Sequence, residues 1–364
     1  MLILAITLLV ILGLFTFLQS ARFGQMPSGE RKQRILHSPT YRDGGFRNEE
    51  ETPDLTEGAT FFKVMRYFFF TKNKKAKPPA PIPSVKTDLK NLPKQTDCLV
   101  WFGHSSYFLQ LSKRNILVDP VFSGGASPVW FTTRSFPGSD AYTAADMPEI
   151  DYLFLTHDHW DHLDYKTLLA LKPKVKKIIT SLGVGAHLER WGFPASQILE
   201  ADWNDTFSLE DGFVVHACTA RHFSGRGFKR AQSIWSSFAL RTPSRNVFIG
   251  GDSGYGKHFK KIGESYGPFD LALLECGQYN AFWKYIHMMP EETVQAAKDL
   301  GAKYLIPVHW AKFELSKHDW DEPIKRIVAE ALKKDQALLT PRIGELIVLD
   351  LPASSDWWSA LNRT

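Results

Sequence analysis

A layered α/β fold is what this sequence predicts, and three observations predict it. From about residue 97, short apolar runs of strand length recur between turns; helical stretches fall between several of these runs; and several of those stretches end in Gly or Lys, as helix C-termini prefer. The 364 residues, 44% of them hydrophobic, are ample for a buried core. Cys98, Cys218 and Cys276 are widely spaced beside apolar stretches, so they read as core thiols rather than as a disulfide framework.

The elements follow in chain order. MLILAITLLVILGLFTFLQS runs about 18 residues without a charge, close to the length that crosses a bilayer, and predicts a transmembrane anchor or signal segment over residues 1–21. No Lys or Arg precedes it, whereas Arg22, Arg31, Lys32 and Arg34 follow. For an uncleaved anchor this places the body of the protein on the cytoplasmic side; a cleaved signal peptide would instead mean export. Residues 22–95 predict an extended arm, first polar and turn-rich (SPTYRDGGFRNEEETP), then aromatic, basic and Pro-rich (FFKVMRYFFFTKNKKAKPPAPIP). The FFKVMRYFFF segment is expected as a helix. It either lies at a membrane interface, with Lys63, Arg66, Lys72, Lys74, Lys75 and Lys77 near lipid phosphates, or packs on the catalytic unit ahead of a solvated basic linker.

Residues 96–351 form the predicted catalytic unit. Its strands are CLVWFGHSSYFLQL, NILVDPVF, IDYLFLTH, KKIITSL, GFVVHACTA, SSFALRT, NVFIGGDSG, FDLALLECG, YLIPVH and ELIVLD. Its helices are LDYKTLLALK, VGAHLERWG, GKHFKKIGESYG, PEETVQAAKDLG and EPIKRIVAEALKKD, and residues 352–364 are left as a tail. A net charge of +5 suits an anionic membrane surface at least as well as nucleic acid.

The chemistry concentrates in LFLTHDHWDHLDY, where His157, His159, Asp161 and His162 crowd into six positions after an apolar run. Imidazole nitrogens and carboxylate oxygens together suit Zn²⁺ and similar divalent ions. His157 and His159 alternate while Asp161 and His162 are adjacent, so one tight turn could aim the first pair at one ion and the second pair at another. His222 in TARHFSG, Asp252 in IGGDSGYG and His309 in IPVHWAKF each follow an apolar run and precede a turn, where strand ends could converge.

On these residues the sequence resembles the metallo-β-lactamase superfamily, whose HxHxDH motif is matched by His157, His159, Asp161 and His162. The resemblance implies an αβ/βα sandwich with a two-metal site at one edge of its sheets. His157, His159 and His222 would hold the first ion, Asp161, His162 and His309 the second, and Asp252 would bridge them, with Asp119 of NILVDPVF supporting the site from behind. Two divalent ions, Zn²⁺ by preference, are therefore the expected cofactors. A narrower likeness, through WFGHSS, VDPVFSGGASP, LTHDHWDHLDY, GGDSGYG, YGPFDLALLECGQY, HMMPEETV and PVHWAKF, is to N-acyl-phosphatidylethanolamine-hydrolysing phospholipases D. Glu275 and Cys276 stand where that family more usually has small or apolar residues.

The implied function is metal-dependent hydrolysis by water activated at the ions, with no Ser or Cys nucleophile, on N-acyl-phosphatidylethanolamine or a related phospholipid. A lactonase or other soluble-ester hydrolase is the alternative. Asp161 and His287 are the expected catalytic residues, with His287 of YIHMMPEE assigned to substrate orientation or proton transfer. His104 of WFGHSS is expected as a structural hydrogen-bonding group. Trp283 and Tyr285 are the expected substrate contacts, among a wider set of loop aromatics (Trp130, Phe131, Trp235 and Phe282) where an acyl chain could lie. The implied partners are a phospholipid membrane and its lipid. Nucleic acid is not expected, since the 56 residues between Asp252 and His309 are too few for an inserted nucleic-acid domain. Oligomeric state is left open.

Overall fold

The computed structural model describes residues 1–361. Helix α1 (Leu2–Leu18) buries no residue, and Gln19 caps it. A 3-10 turn at Ala21–Phe23 then bends the chain back, and Phe23 packs edge-on against both Phe17 and Trp160, with ring centroids 5.3 and 5.1 Å apart. The expected membrane-spanning anchor is corrected here. Seventeen residues rise about 25 Å at 1.5 Å each, and no helix among the described residues is long and apolar enough to cross a membrane.

The arm is bound to the body rather than extended away from it. Helix α2 (Gly29–His37) and a two-stranded ribbon of β1 (Tyr41–Arg42) and β2 (Gly45–Phe46) bury Ile35 and Phe46 in a small cluster with Leu182, Trp203 and Trp235. Arg31 pairs with Glu189 at 2.7 Å and with Glu200 at 2.6 Å. Helix α3 (Phe61–Phe70), capped by the Thr60 hydroxyl, covers the FFKVMRYFFF segment and packs one side of it on the catalytic unit. Phe68 stacks on Trp283 and Tyr67 meets Phe282 edge-on, while Phe61, Phe62, Phe69 and Phe70 stay exposed. The linker behind it is not simply solvated, since Ala76, Ile82 and Leu89 are buried and the Ile82 amide donates to Pro137 at 2.7 Å.

Two seven-stranded sheets follow. The first half of the catalytic unit supplies β3 (Cys98–Trp101), β4 (Tyr107–Leu111), β5 (Arg114–Val118), β6 (Ile150–Leu155), β7 (Val175–Ser181) and β8 (Ile198–Ala201), with helices α4 (Tyr165–Leu171) and α5 (Gly185–Arg190). The second half supplies β9 (Thr206–Ser208), β10 (Val214–Thr219), β11 (Ser236–Arg241), β12 (Asn246–Ile249), β13 (Leu271–Glu275), β14 (Tyr304–Val308) and β15 (Ala337–Leu338). Helices α6 (His258–Tyr266), α7 (Pro290–Asp299) and α8 (Glu322–Lys333) connect its later strands. Strand β16 (Leu346–Val348) returns to pair with β3, giving the orders β16-β3-β4-β5-β6-β7-β8 and β15-β14-β13-β12-β11-β10-β9. Each sheet is antiparallel at one side and parallel at the other, with the change at β5 in the first and β12 in the second.

The period of two along the strands sorts their side chains between two cores. Leu99, Leu109, Ile116, Val118 and Phe154 face the second sheet's Val215, Ala217, Phe238, Leu240 and Ile249. Val100, Phe108, Leu117, Leu153 and Leu155 point the other way, onto Leu168 and Leu171 of α4 and Leu188 of α5. This is the expected αβ/βα sandwich. The run CLVWFGHSSYFLQL proves to be two strands around a tight turn at Gly103 (φ +82°) and His104 (φ +53°). The expected tail is also corrected, because helix α9 (Trp357–Leu361) buries Trp357 and Trp358 against Trp310, at centroid distances of 5.3 and 6.0 Å.

Candidate metal centre

Both sheets deliver their strand ends to one place. The turn after β6 carries His157, His159, Asp161 and His162; the turns after β10, β12 and β14 carry His222, Asp252 and His309. All seven expected ligands are brought together. His157 Nε2 stands 2.9 Å from His159 Nδ1, and His222 Nε2 stands 3.1 Å from the same atom. Asp252 lies between the two sets, with Oδ2 at 3.1 Å from His162 Nε2 and at 3.8 Å from both His157 Nε2 and His222 Nε2, and Oδ1 at 3.2 Å from His309 Nδ1. Ligand atoms of His157, His159, His222 and Asp252 lie within 4.8 Å of one another, and so do those of Asp161, His162, His309 and His104.

The donor set fits cations. Three imidazole nitrogens cannot converge at about 3 Å as mutual hydrogen-bond partners, because each neutral ring has only one N–H to give. Around an ion that accepts their lone pairs they can. His162 Nε2 and Asp252 Oδ1 are buried without a hydrogen-bond partner, as atoms directed at an ion are. Burial lowers His157, His222 and His309 well below the ordinary histidine range, and His159 to about 4, which keeps their rings neutral as ligands must be. Burial likewise pushes Asp252 up to about 6. His162 goes against the burial that would lower it, raised by Asp252, Asp161 and Asp119.

The residues behind the ligands fix their orientation. Asp119, as expected, supports the site. Its Oδ2 bonds His162 Nδ1 at 2.8 Å and the Thr156 hydroxyl at 2.6 Å, its Oδ1 accepts from the Thr156 amide at 2.9 Å, and the Thr156 hydroxyl in turn meets His157 Nδ1 at 3.0 Å. His222 Nδ1 bonds the Ile286 carbonyl at 2.9 Å, which leaves Nε2 for the cluster. His309 Nδ1 meets the Ser105 hydroxyl at 2.9 Å. Asp119, His104 and His309 all take positive φ, of +40°, +53° and +69°, strain of a kind that gathers at functional sites. His104 is fully buried and bonds Asp161 Oδ2 through Nε2 at 2.8 Å, so its hydrogen-bonding role stands, although it also falls within the second group of potential ligands.

His287 lies beside the cluster. Its ring lies 5.0 Å from that of His222 and 5.2 Å from that of His309. Trp283 lies in the loop leading to it and stacks on Phe68. Tyr285, an expected substrate contact, is otherwise occupied: its hydroxyl donates to Glu57 at 2.5 Å and Arg221 covers its ring. Trp235 is core, with its indole N–H on Asn48 and Ala220, whereas Trp130 and Phe131 are exposed.

Sequence reasoning missed Arg226. Its buried guanidinium donates to the carbonyls of Asp158 (2.9 Å) and Leu163 (2.7 Å), clamping both ends of the ligand turn, and to the Arg22 carbonyl at 2.9 Å. The only available signal was a second Arg in the RHFSGRGF loop.

Comparisons with known proteins agree with this geometry. Residues 114–310 match the family model described as "Beta-lactamase superfamily domain". An uncharacterized protein of Mycobacterium tuberculosis is 36% identical over 88% of this chain and 87% of its own. The N-acyl-phosphatidylethanolamine-hydrolyzing phospholipase D 1 of Caenorhabditis elegans is 29% identical over 68% of this chain and 74% of its own. Among solved structures, a metallo hydrolase of Ignicoccus hospitalis superposes with a TM-score of 0.53 at 21% identity, covering 69% of this chain and 97% of that one. With its ligand turn, its paired sheets and more than half its length matched by the family model, the chain belongs to the metallo-β-lactamase superfamily.

Proposed function

We propose that this metal-dependent hydrolase is a binuclear phosphodiesterase of phospholipase D type, acting on N-acyl-phosphatidylethanolamine or a related phospholipid at a membrane surface. The metal count rests on two adjacent groups of donors, one of His157, His159, His222 and Asp252 and one of His104, Asp161, His162 and His309, with Asp252 also 3.1 Å from His162 Nε2 and 3.2 Å from His309 Nδ1. The observation that carries the lipid reading is the placement of α3. It stacks through Phe68 on Trp283, in the loop that leads to His287, and presents Phe61, Phe62, Phe69 and Phe70 outward. Exposed aromatic side chains beside a hydrolytic site suit a substrate drawn from a lipid interface. Helix α1 and the pair Trp130 and Phe131 expose further apolar side chains, and contact without spanning replaces the transmembrane expectation. The likeness to the nematode phospholipase supports the same substrate class.

Two divalent ions, Zn²⁺ by preference, would supply electrostatic stabilisation of the phosphoryl oxygens and a water acidic enough to attack at neutral pH. His157, His159 and His222 would hold one ion, Asp161, His162 and His309 the other, and Asp252 would join them. The protein's own part is orientation: Asp119 fixes His162 directly and His157 through Thr156, and His287 offers a ring nitrogen to the substrate. Cys276 is not a competing nucleophile, since it is fully buried and burial raises its thiol well above the ordinary range.

The test is metal-analysed protein assayed on vesicles of N-acyl-phosphatidylethanolamine, phosphatidylethanolamine or phosphatidylcholine, beside water-soluble lactones and esters. Release of phosphatidic acid and the free head-group alcohol is expected. Turnover of the soluble compounds alone would favour the lactonase-type alternative.

A further inference from the structure

The turn after β10 draws one of its fixings from outside the catalytic unit. His222 stands three residues past the end of β10, so no strand ladder holds its peptide groups. Asn48 of the arm takes both of them. Its Nδ2 donates to the His222 carbonyl at 2.8 Å, and its Oδ1 accepts from the His222 amide at 3.1 Å. The same Oδ1 accepts from the buried Trp235 indole at 3.0 Å, so two N–H groups on one side and a carbonyl on the other allow the Asn48 amide only this orientation. The flanking arm residues hold it in place. The Phe46 amide donates to the Ala231 carbonyl at 2.9 Å, the Thr219 hydroxyl donates to Glu49 at 3.1 Å, and Arg221 donates to the Thr52 hydroxyl at 2.9 Å and to the Glu51 carbonyl at 2.7 Å.

We infer that Asn48 is a positioning residue for the metal ligand His222, which makes the arm a part of the metal centre. The inference rests on the functional reading above only in taking His222 to hold an ion. The ring and the backbone of His222 are fixed separately. The Ile286 carbonyl holds Nδ1, and Asn48 holds the peptide groups on either side of the Cα, which together aim Nε2 at the cluster of His159 and Asp252. With the Nδ1 contact alone the ring can pivot about that atom, and Nε2 swings with it. A ligand has to be kept within about 0.5 Å of its productive place by groups behind it, and such groups are worth roughly tenfold to a hundredfold in metal affinity. Asn48 lies 174 positions before the ligand it steadies, so the set of donors around His222 reaches its final geometry only once the arm has docked.

Asn48→Ala removes all three hydrogen bonds, and Asn48→Asp keeps an acceptor for the two N–H groups while losing the amide donor. Phe46→Ala is the control for a loosened arm, because Phe46 is buried with Leu182, Trp203 and Trp235 and its loss leaves the Asn48 amide unchanged. The experiment titrates the full-length, metal-free proteins with Zn²⁺ against a chromogenic chelator and with Co²⁺ followed by its visible absorption, beside urea unfolding of the metal-free forms. His222→Ala marks the binding step that belongs to His222. N48A is expected to weaken that step by roughly tenfold to a hundredfold and to alter its Co²⁺ absorption, with the other step little changed and N48D falling between N48A and the wild type. F46A should lower the urea midpoint further than N48A does and move the affinity less. Wild-type affinity at that step in N48A or N48D, a loss in F46A equal to that in N48A, or a titration that His222→Ala leaves unchanged would overturn the inference. The titration needs no substrate, so absent lipid turnover would defeat the phospholipase reading and leave this one standing.

Discussion

Asp252 is the residue on which the most charge depends. It lies within 4 Å of four imidazoles, and a carboxylate between two cationic sites offsets their mutual repulsion. Asp252→Ala is expected to fold, to lose at least one equivalent of metal and to show almost no turnover; near-normal activity with full metal content would mean the shared position is misassigned. Asp119→Asn tests a different property. It keeps the volume but puts an amide NH₂ where two oxygens now accept from Thr156 and meet His162 Nδ1. Metal affinity should drop by roughly tenfold to a hundredfold in a competition titration, with melting behaviour of the metal-free protein little altered. The seven clustered groups were legible in the sequence because each stands just past an apolar run, and a strand end is where a layered α/β fold displays side chains. Asp119 was legible through the family resemblance. Glu275 could be seen as out of place but not as paired, since His287, whose Nδ1 meets its Oε2 at 2.8 Å, is twelve positions away and only the turn before α7 brings the two side chains together. Arg226 gave still less warning, because its partners are backbone carbonyls that no sequence pattern marks.

Elements were read best where periodicity was strong and worst where tertiary packing decided. Helices α4 to α8 and most strands of both sheets follow their apolar spacing, whereas β8, β9 and β15 are short edge or near-edge strands with too few alternating residues to announce themselves. The C-terminal segment looked like a tail because five helical residues carry no periodicity. Its tryptophans have meaning only against Trp310. Trp357→Ala should accordingly cost about 3 kcal/mol or more of unfolding free energy, as large aromatic truncations in cores do, read as a lowered urea midpoint. At the other terminus, α1 has the composition of a membrane helix but stops at Gln19, where the chain turns to seat Phe23 on Trp160. Deleting residues 1–18 leaves that seat in place. The truncated protein should bind anionic vesicles more weakly and lose that residual binding in high salt, because basic groups near lipid phosphates contribute on the order of 1 kcal/mol each and are screened. Hydrolysis of a soluble ester should be unchanged, and vesicle binding equal to that of the full chain would remove α1 from the lipid surface.

For the molecule as a whole, elemental analysis of active protein should give two ions per chain, and a single ion would defeat the binuclear reading. Chelation should lower the melting temperature, since a ligand present at about a hundred times its dissociation constant adds about 2.7 kcal/mol to the native state. Where that energy acts follows from the way the two sheets share the centre. Four of the seven groups come from the turn after β6 in the first sheet and three from turns after β10, β12 and β14 in the second, so neither sheet by itself offers a complete set. The ions would then act as a clasp across the sandwich seam. In hydrogen exchange, chelation should deprotect amides along both facing sheets together rather than around one loop. A chain severed in the short connection between β8 and β9 should reassemble far more readily when Zn²⁺ is supplied, its two pieces meeting at the one place where each completes the other.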